Sequence, residues 1–283
     1  METILLCCDL DRTLIPNGEQ PESAQARPLL NRLAGYPKLR LSYVSGRDKR
    51  LVQQAISEYH LPQPDFVIGD VGTTLYRIRS NDWQVDTDWQ QHIGKDWNGL
   101  TRDDIAELLI DHSSRELWLQ PPKKQNTYKL SYFTGPKIDS KKLTGDLNTI
   151  LQANFVSANL IWSRDEAENC GLLDILPASA NKLEAICFLM AQEGIEESRT
   201  VFAGDSGNDL DALSSGLQAI LVKNAAEDVR RQAVAALERN KMGDRLYLAR
   251  GNLFSLNGNY SSGVIEGLAH FFPEILTWLK QPG

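Results

Sequence analysis

Cysteine and histidine are both scarce, four of each in 283 residues. Cys7, Cys8, Cys170 and Cys187 include no CxxC pair, which excludes a disulfide framework and a dithiol or zinc-ribbon site and suits a reducing cytosol. His60, His92, His112 and His270 are scattered, no two at the spacing of a metal site, and read as surface or packing residues. A basic excess is also missing. Thirty Lys and Arg against 37 Asp and Glu leave a net charge of −7, which argues against nucleic acid or an anionic membrane as main partner. No apolar run approaches the length of a membrane span. The short apolar segment near the start lacks the basic flank of a signal peptide, so a soluble cytoplasmic protein is expected. Neither GxGxxG nor GxxxxGK followed by Ser or Thr occurs, so dinucleotide and P-loop readings have no support.

What is present begins with ILLCCDLDRTL at residues 4–14, an apolar run ending in Asp9 and Asp11, with Thr13 after them. Near-continuous apolarity marks a strand buried in the middle of a parallel sheet. Two residues apart on extended chain, both acids can share one site beyond the strand's carboxyl end, where open α/β sheets bind ligands. Taken alone, the stretch is equally well explained by a helix-capping Asp and a turn Asp.

The pattern continues as a βαβαβ unit: helix 21–33, strand 39–44 ending in Ser45, Gly46 and Arg47, helix 48–59, and strand 66–69. Residues 80–99 are polar and carry Trp83, Trp89 and Trp97, as a linker packed on its neighbours would. There follow helix 101–112, strands 116–120 and 127–133, helix 139–153, and strands 155–162 and 172–176. Period-2 patterning at Tyr128, Leu130 and Tyr132 suggests an antiparallel sheet with helices on one face. The βα texture returns with helix 181–192, strand 200–203, helix 209–215, strand 219–222, helix 227–239, strand 245–248 and a closing helix 262–279. The expected fold is therefore α/β: a doubly wound, Rossmann-like parallel core from residues 1–80 and 177–283, with an αββαββ cap inserted as residues 81–176.

Lys182 opens a helix, where a cation opposes the macrodipole; that conflict is expected where an anion binds. Residues 204–209, GDSGND, set small residues beside carboxylates after a buried strand, a hard-oxygen site suited to Mg²⁺. Together with Asp9, Asp11 and Ser45 these are the parts of phosphoryl chemistry: a nucleophile, a proton shuttle, donors for phosphate oxygens and a metal.

DLDRT at 9–13, VSGR at 44–47, Lys182 and GDSGND at 204–209 resemble the four ordered motifs of the haloacid dehalogenase superfamily. A cap between the second and third motifs resembles the C2-capped branch. DVGTTLY at 70–76, YKLSYF at 128–133, LDILP at 173–177 and SGVIEGLAHFF at 262–272 are similar to the sucrose-phosphate phosphatases. LPQPDFVIGDVGT at 61–73 resembles the mannosylfructose-phosphate phosphatases nearly as well.

The resemblance implies that Asp9 attacks phosphorus and that Asp11 protonates the leaving oxygen and then deprotonates water. It implies that Ser45, Gly46 and Lys182 hold the phosphoryl group. Mg²⁺ would sit on the Asp9 carboxylate, the Asp11 carbonyl and Asp205, with Asn208 and Asp209 close by. Thr13 would brace the first loop and Arg47 the second; Arg47, Gly72, Thr73, Lys129 and Tyr132 would meet the sugar. The implied substrate is sucrose 6-phosphate, with mannosylfructose 6-phosphate as rival and a sugar-phosphate synthase as a candidate partner. A phosphosugar mutase and a non-catalytic sugar-phosphate-binding domain are the alternatives of other classes. One departure stands out: SRDEAENCGLL at 163–173 is longer than the family's compact SGxDxD pattern and puts Leu172 where its first aspartate would fall, beside the expected sugar pocket. Elsewhere ordinary readings suffice. Asp103 and Asp104 open a helix, acids 165–168 form a solvated loop, Lys123-Lys124 an exposed turn, and the tryptophans anchor linker and cap.

Overall fold

The structure, a computed structural model, describes residues 3–110, 117–166 and 168–281. β1 (Ile4–Cys8) is buried at every residue. Ile4, Leu6 and Cys8 face one core while Leu5 and Cys7 face another. A parallel strand covered on both sides has no wet face, so its sequence reads as an unbroken apolar run. α1 (Ala26–Ala34), β2 (Leu39–Val44), α2 (Lys49–Glu58) and β3 (Phe66–Gly69) follow, and β4 (Thr74–Arg79) with β5 (Asp82–Val85) adds an antiparallel hairpin at that edge.

α3 (Thr87–Gly94) then leads into the inserted unit: α4 (Arg102–Leu108), β6 (Leu117–Leu119), β7 (Leu130–Thr134), α5 (Ser140–Ala153), β8 (Ala158–Asp165) and β9 (Cys170–Pro177). The chain returns through α6 (Lys182–Glu193), β10 (Thr200–Gly204), α7 (Leu210–Leu213), β11 (Gln218–Leu221), α8 (Glu227–Arg239), β12 (Leu246–Leu248), α9 (Ser261–Phe271) and α10 (Ile275–Leu279).

The main sheet has the order β12-β11-β10-β1-β2-β3-β4-β5, its first six strands parallel. From β1 the chain winds outward to β2 and β3, and later from β10 to β11 and β12 in the opposite direction. The switch point thus lies between β1 and β10, and the crevice beyond their carboxyl ends is where such sheets bind ligands. The second sheet, β6-β7-β9-β8, is antiparallel. Ile105, Leu109, Leu147 and Leu151 from the helix side pack with Leu130, Tyr132, Leu173 and Ile175 of that sheet. The expected α/β architecture with a separate antiparallel cap is the one observed.

Two expectations need correction. Residues 80–99 are regular structure: β5 joins the main sheet, and α3, capped by Asp86 accepting from the Trp89 amide, buries Trp89 and Ile93. We accordingly propose that the inserted unit begins after β5 rather than at residue 81. The closing helix is two, because Pro273 has no amide to donate and α9 ends before it. The segment 164–171 extends the β8–β9 hairpin through the pairs Arg164↔Gly171 and Asp165↔Cys170, at the sheet's end away from Pro177 and the return to the core. Residues 111–112 of the expected helix 101–112, His112 included, and Glu116 lie outside the described residues. Among the described residues no helix is long and apolar enough to cross a membrane.

Candidate active site

Four strand ends and one helix start meet at the switch point. Asp9 leaves β1 with its amide donating to the Ala203 carbonyl of β10 at 2.9 Å, which locks the two strand ends in register. Asp205 follows β10, and Asp9, Asp205 and Asp209, all buried, each offer an oxygen within 4.8 Å of the others. Lys182, at the first turn of α6, places its ammonium 2.7 Å from Asp9 Oδ1 and 2.7 Å from Asp209 Oδ1, and 3.2 Å from Asn208 Oδ1. The other oxygen of Asp209 accepts from the Asp205 and Ser206 amides and the Ser206 hydroxyl. Asp205 accepts from the Thr13 hydroxyl at 3.1 Å and lies 3.3 Å from Arg12 Nε.

Lys182 bridges two of these three carboxylates and Arg12 lies beside the third, and the electrostatics follow. Burial pushes the Asp9 carboxyl up to about 7; Lys182 opposes the rise, while Asp209 and Asp205 add to it. Burial and Asp209 together take Asp205 up to about 6. Burial works against the Lys182 charge, but Asp9 and Asp209 outweigh it and hold the ammonium above its ordinary value. A buried, all-oxygen set with too little positive charge is the donor chemistry of a hard divalent cation such as Mg²⁺, and these residues fit one.

Asp11 points elsewhere. Its carboxylate takes a fork from Arg47, Nε at 2.8 Å and Nη2 at 2.6 Å, and a third bond from Asn17 Nδ2 at 2.7 Å. Partial burial would raise its carboxyl, but Arg47 and Asn17 prevail and lower it. Ser45 is buried at the end of β2, its hydroxyl accepting from the Arg47 amide at 3.2 Å, with Gly46 exposed beside it.

The loop after β3 works as a clamp. Asp70, Val71 and Gly72 all have positive φ, at 52°, 61° and 93°. A β-branched residue there is strained, so its surroundings must impose the shape. At Gly72 a Cβ would lie 2.8 Å from the Asn181 carbonyl carbon. Asn181 is the N-cap of α6, accepting from the Glu184 amide, so this close approach sets where Lys182 begins. The Gly72 carbonyl accepts from Trp89 Nε1 at 3.0 Å. Thr73 is fully buried; its hydroxyl donates to the Asp70 carbonyl and accepts from Asn126 of the inserted unit at 2.8 Å.

Lys129 is buried beside Asp174, Nζ to Oδ2 3.6 Å, and its charge offsets part of the burial that raises the Asp70 carboxyl. It therefore stands over the end of β3, on the sheet face opposite α4 and α5. Ser131 and Asp174 are hydrogen-bonded across that face. Two residues further along it come Trp118, Phe133 and Leu172, paired in register, with Trp118 54% exposed.

Of the residues singled out in the sequence, Asp9, Lys182, Asp205, Asn208 and Asp209 come together in direct contact, and Thr13 braces them. Ser45 and Gly46 lie at the adjacent strand end, and Asp11 pairs with Arg47. Gly72 and Thr73 hold backbone rather than offering free groups. Tyr132 is not brought to the site: it is 5% exposed in the core of the second sheet, on the face opposite Lys129. Trp118 is not an anchor, whereas Trp83, Trp89 and Trp97 are buried as expected. His92 stacks on Trp89 and His270 on Tyr247. Sequence reading missed Asn17 and Arg12, whose part depends on a turn that no local pattern announces.

Known proteins resemble this chain along most of its length. The family described as Sucrose-6F-phosphate phosphohydrolase matches residues 2–272. A Nitrosococcus oceani protein named "Putative HAD-like hydrolase" is 55% identical over 279 residues, 99% of this chain and 74% of its own length. Mannosylfructose-phosphate phosphatase of Agrobacterium fabrum is 28% identical over 270 residues, 94% of this chain and 96% of its own. Among solved structures, the sucrose-phosphatase of Synechocystis in complex with sucrose and phosphate has the same fold, with TM-score 0.67 at 24% identity over 96% of this chain and 98% of that one.

Proposed function

The chain belongs to the sucrose-6F-phosphate phosphohydrolase family of haloacid dehalogenase-like hydrolases, and from that premise we propose that it is a Mg²⁺-dependent phosphatase of a disaccharide phosphate, sucrose 6-phosphate first. Sugar-phosphate hydrolysis is the family's reaction; the particular sugar, the metal and the residue roles are our reading. The observation that carries it is the buried Asp9 carboxylate at the switch point, 2.7 Å from the Lys182 ammonium and grouped with Asp205 and Asp209.

In the first step Asp9 attacks phosphorus, forming an aspartyl-phosphate as the bond from phosphorus to the sugar oxygen breaks. Asp11 gives that oxygen its proton. Water then attacks phosphorus, Asp11 takes the water's proton, and phosphate leaves with Asp9 restored; such proton shuttling contributes about 10²–10⁴ in rate. Ser45, Gly46 and Lys182 bind the phosphoryl oxygens. Asp9, the Asp11 carbonyl and Asp205 would hold Mg²⁺, with Asn208 and Asp209 beside them, and the ion would supply positive charge to offset the phosphoryl group. Because Arg47 and Asn17 favour the ionised Asp11, that carboxyl leaves the fork and takes up a proton from solvent before it donates, which frees Arg47 for the substrate.

For the sugar, Lys129, Ser131 and Asp174 offer polar contacts closest to β3. The apolar row of Trp118, Phe133 and Leu172 begins about 7 Å further along the strands, roughly one ring away. That layout suits a phosphorylated ring held by its hydroxyls and a second ring lying with its C–H face on the aromatic row. A mannosylfructose phosphate is the second reading, favoured by the Agrobacterium relative. Either substrate arises by glycosyl transfer onto a sugar phosphate, so a sugar-phosphate synthase is the partner we propose. The test is phosphate release from sucrose 6-phosphate, mannosylfructose 6-phosphate, trehalose 6-phosphate and hexose phosphates, with and without Mg²⁺. Preference for sucrose 6-phosphate, dependent on Mg²⁺, supports the reading. Preference for a hexose phosphate overturns the substrate, and isomerised product without phosphate overturns the reaction.

A further inference from the structure

Asn224 follows β11, belongs to no motif discussed above, and is 5% exposed. Its side-chain amide is engaged at both ends. Nδ2 donates to the Arg12 carbonyl at 2.6 Å, and Oδ1 accepts from the Tyr260 amide at 2.8 Å. The Arg12 guanidinium returns a bond to the Asn224 carbonyl at 3.4 Å. Arg12 directly follows Asp11 and has φ 60°, a conformation that a side chain disfavours and that neighbours must therefore hold. Its Nε lies 3.3 Å from Asp205. One amide thus ties together the turn that bears Asp11 and the segment ahead of α9.

The far side of this tether is itself anchored. Glu266 on α9, 4% exposed, accepts from the Tyr247 hydroxyl at 2.7 Å and from the Arg250 and Gly251 amides at 2.9 and 2.7 Å. A buried carboxylate is tolerated when its oxygens are saturated in this way. Asn257 and Asn259 then donate to the Pro21 carbonyl at 2.7 and 3.1 Å. The segment that follows the reacting loop is thus gripped near its start by Asn224 and near Pro21 by the loop ahead of α9.

We propose that Asn224 is a positioning residue for the reacting loop: by holding the Arg12 carbonyl it fixes the turn that brings the Asp11 carbonyl to the site of Asp9 and sets Arg12 and Thr13 against the Asp205 carboxylate. The inference rests on the reading of that site as a Mg²⁺ site. Asn224→Asp separates the two bonds, since it keeps the acceptor for Tyr260 and sets an oxygen against the Arg12 carbonyl. Asn224→Ser removes the tether without adding charge. Both are compared with wild type by calorimetric Mg²⁺ titration in the absence of substrate, by melting temperature and by phosphate-release kinetics. Partners of this kind are worth about 10–100-fold in metal affinity or activity. The expected result is a loss of about tenfold or more in Mg²⁺ affinity and in kcat, with KM within about twofold of wild type. Asn257→Ala, which loses the Pro21 bond and the acceptor for the Asn259 amide and Ser262 hydroxyl but leaves the bonds of Asn224 to Arg12 and Tyr260 in place, serves as the structural control and should keep wild-type Mg²⁺ affinity. Wild-type Mg²⁺ affinity in both Asn224 variants, or an equal loss in Asn257→Ala, overturns the inference. A wild-type protein that binds no Mg²⁺ overturns the reading of the site, and this inference with it.

Discussion

Replacing Asp9 by Asn should abolish turnover and, in a metal-free buffer at neutral pH, make the protein more stable. The Asp9 carboxyl is pushed from 3.8 to about 7, first by burial and then by Asp209 and Asp205. A carboxyl whose folded value exceeds its unfolded one favours the native state at low pH and loses that contribution as pH rises through the folded value. The window here runs from about 4 to about 7. A rise of roughly three units corresponds to a ceiling of ~4 kcal/mol lost by pH 7. Asn keeps the shape of the neutral acid and removes that cost, which is already net of the attraction of Lys182 for the charged form. Discounted by about half for relaxation around the charge, the gain at pH 7 should be ~2 kcal/mol, or about 4–6 °C in melting temperature for a chain of this size. The assay is a thermal melt of both proteins in a chelator at pH 7 and pH 4, followed by Mg²⁺ addition. The gap should largely close at pH 4, where Asp9 is protonated in the folded state and nearly half protonated in the unfolded one, and should narrow when Mg²⁺ binds the wild type. A variant that melts at or below wild type at pH 7, or one equally stabilised at pH 4, would refute the charge-crowding argument.

Arg47→Leu removes the fork that lowers the Asp11 carboxyl, so the limb of kcat/KM governed by the Asp11 proton in the free enzyme should move to higher pH; an unchanged pH profile separates Arg47 from Asp11 in solution. Gly72→Ala would put a Cβ 2.8 Å from Asn181 at φ 93°, and should cost at least ~2 kcal/mol in a denaturant titration, whereas a wild-type midpoint would show that the loop after β3 can yield. Trp118→Ala should lower kcat/KM for disaccharide phosphates about tenfold, the loss of ~1.4 kcal/mol of stacking, and spare hexose phosphates; an equal loss on both would assign Trp118 to cap folding.

The place of the candidate site was legible because its signals are local. Asp9 and Asp11 after an apolar run, Ser45 after the next strand and GDSGND after β10 each combine a buried strand with a polar end, and a parallel sheet gathers such ends. Lys182 announced itself by opposing the dipole of its own helix. Residues 80–99 were misjudged because their polarity hid real signals: Ser80 and Asn81 adopt positive φ between β4 and β5, and Asp86 caps a helix with Trp89 and Ile93 one turn apart. Tyr132 was a parity error. Tyr132 and Leu130 alternate with Lys129 and Ser131, so once Leu130 packs under α4 and α5, Tyr132 must do the same. Asn224 and Glu266 were out of reach. Asn224 meets Arg12 across 212 residues, and Glu266 binds backbone amides that any sequence could supply.

The proposed phosphoryl transfer stands on Asp9 as the group that takes up phosphorus. The direct measurement is a rapid acid quench during a single turnover of sucrose 6-phosphate with Mg²⁺, followed by peptide mass mapping. A phosphoryl group on Asp9, formed and lost at rates that match product release and absent from Asp9→Asn, is the predicted result. A phosphoryl group on another residue, or phosphate released while Asp9 is never modified, would contradict it.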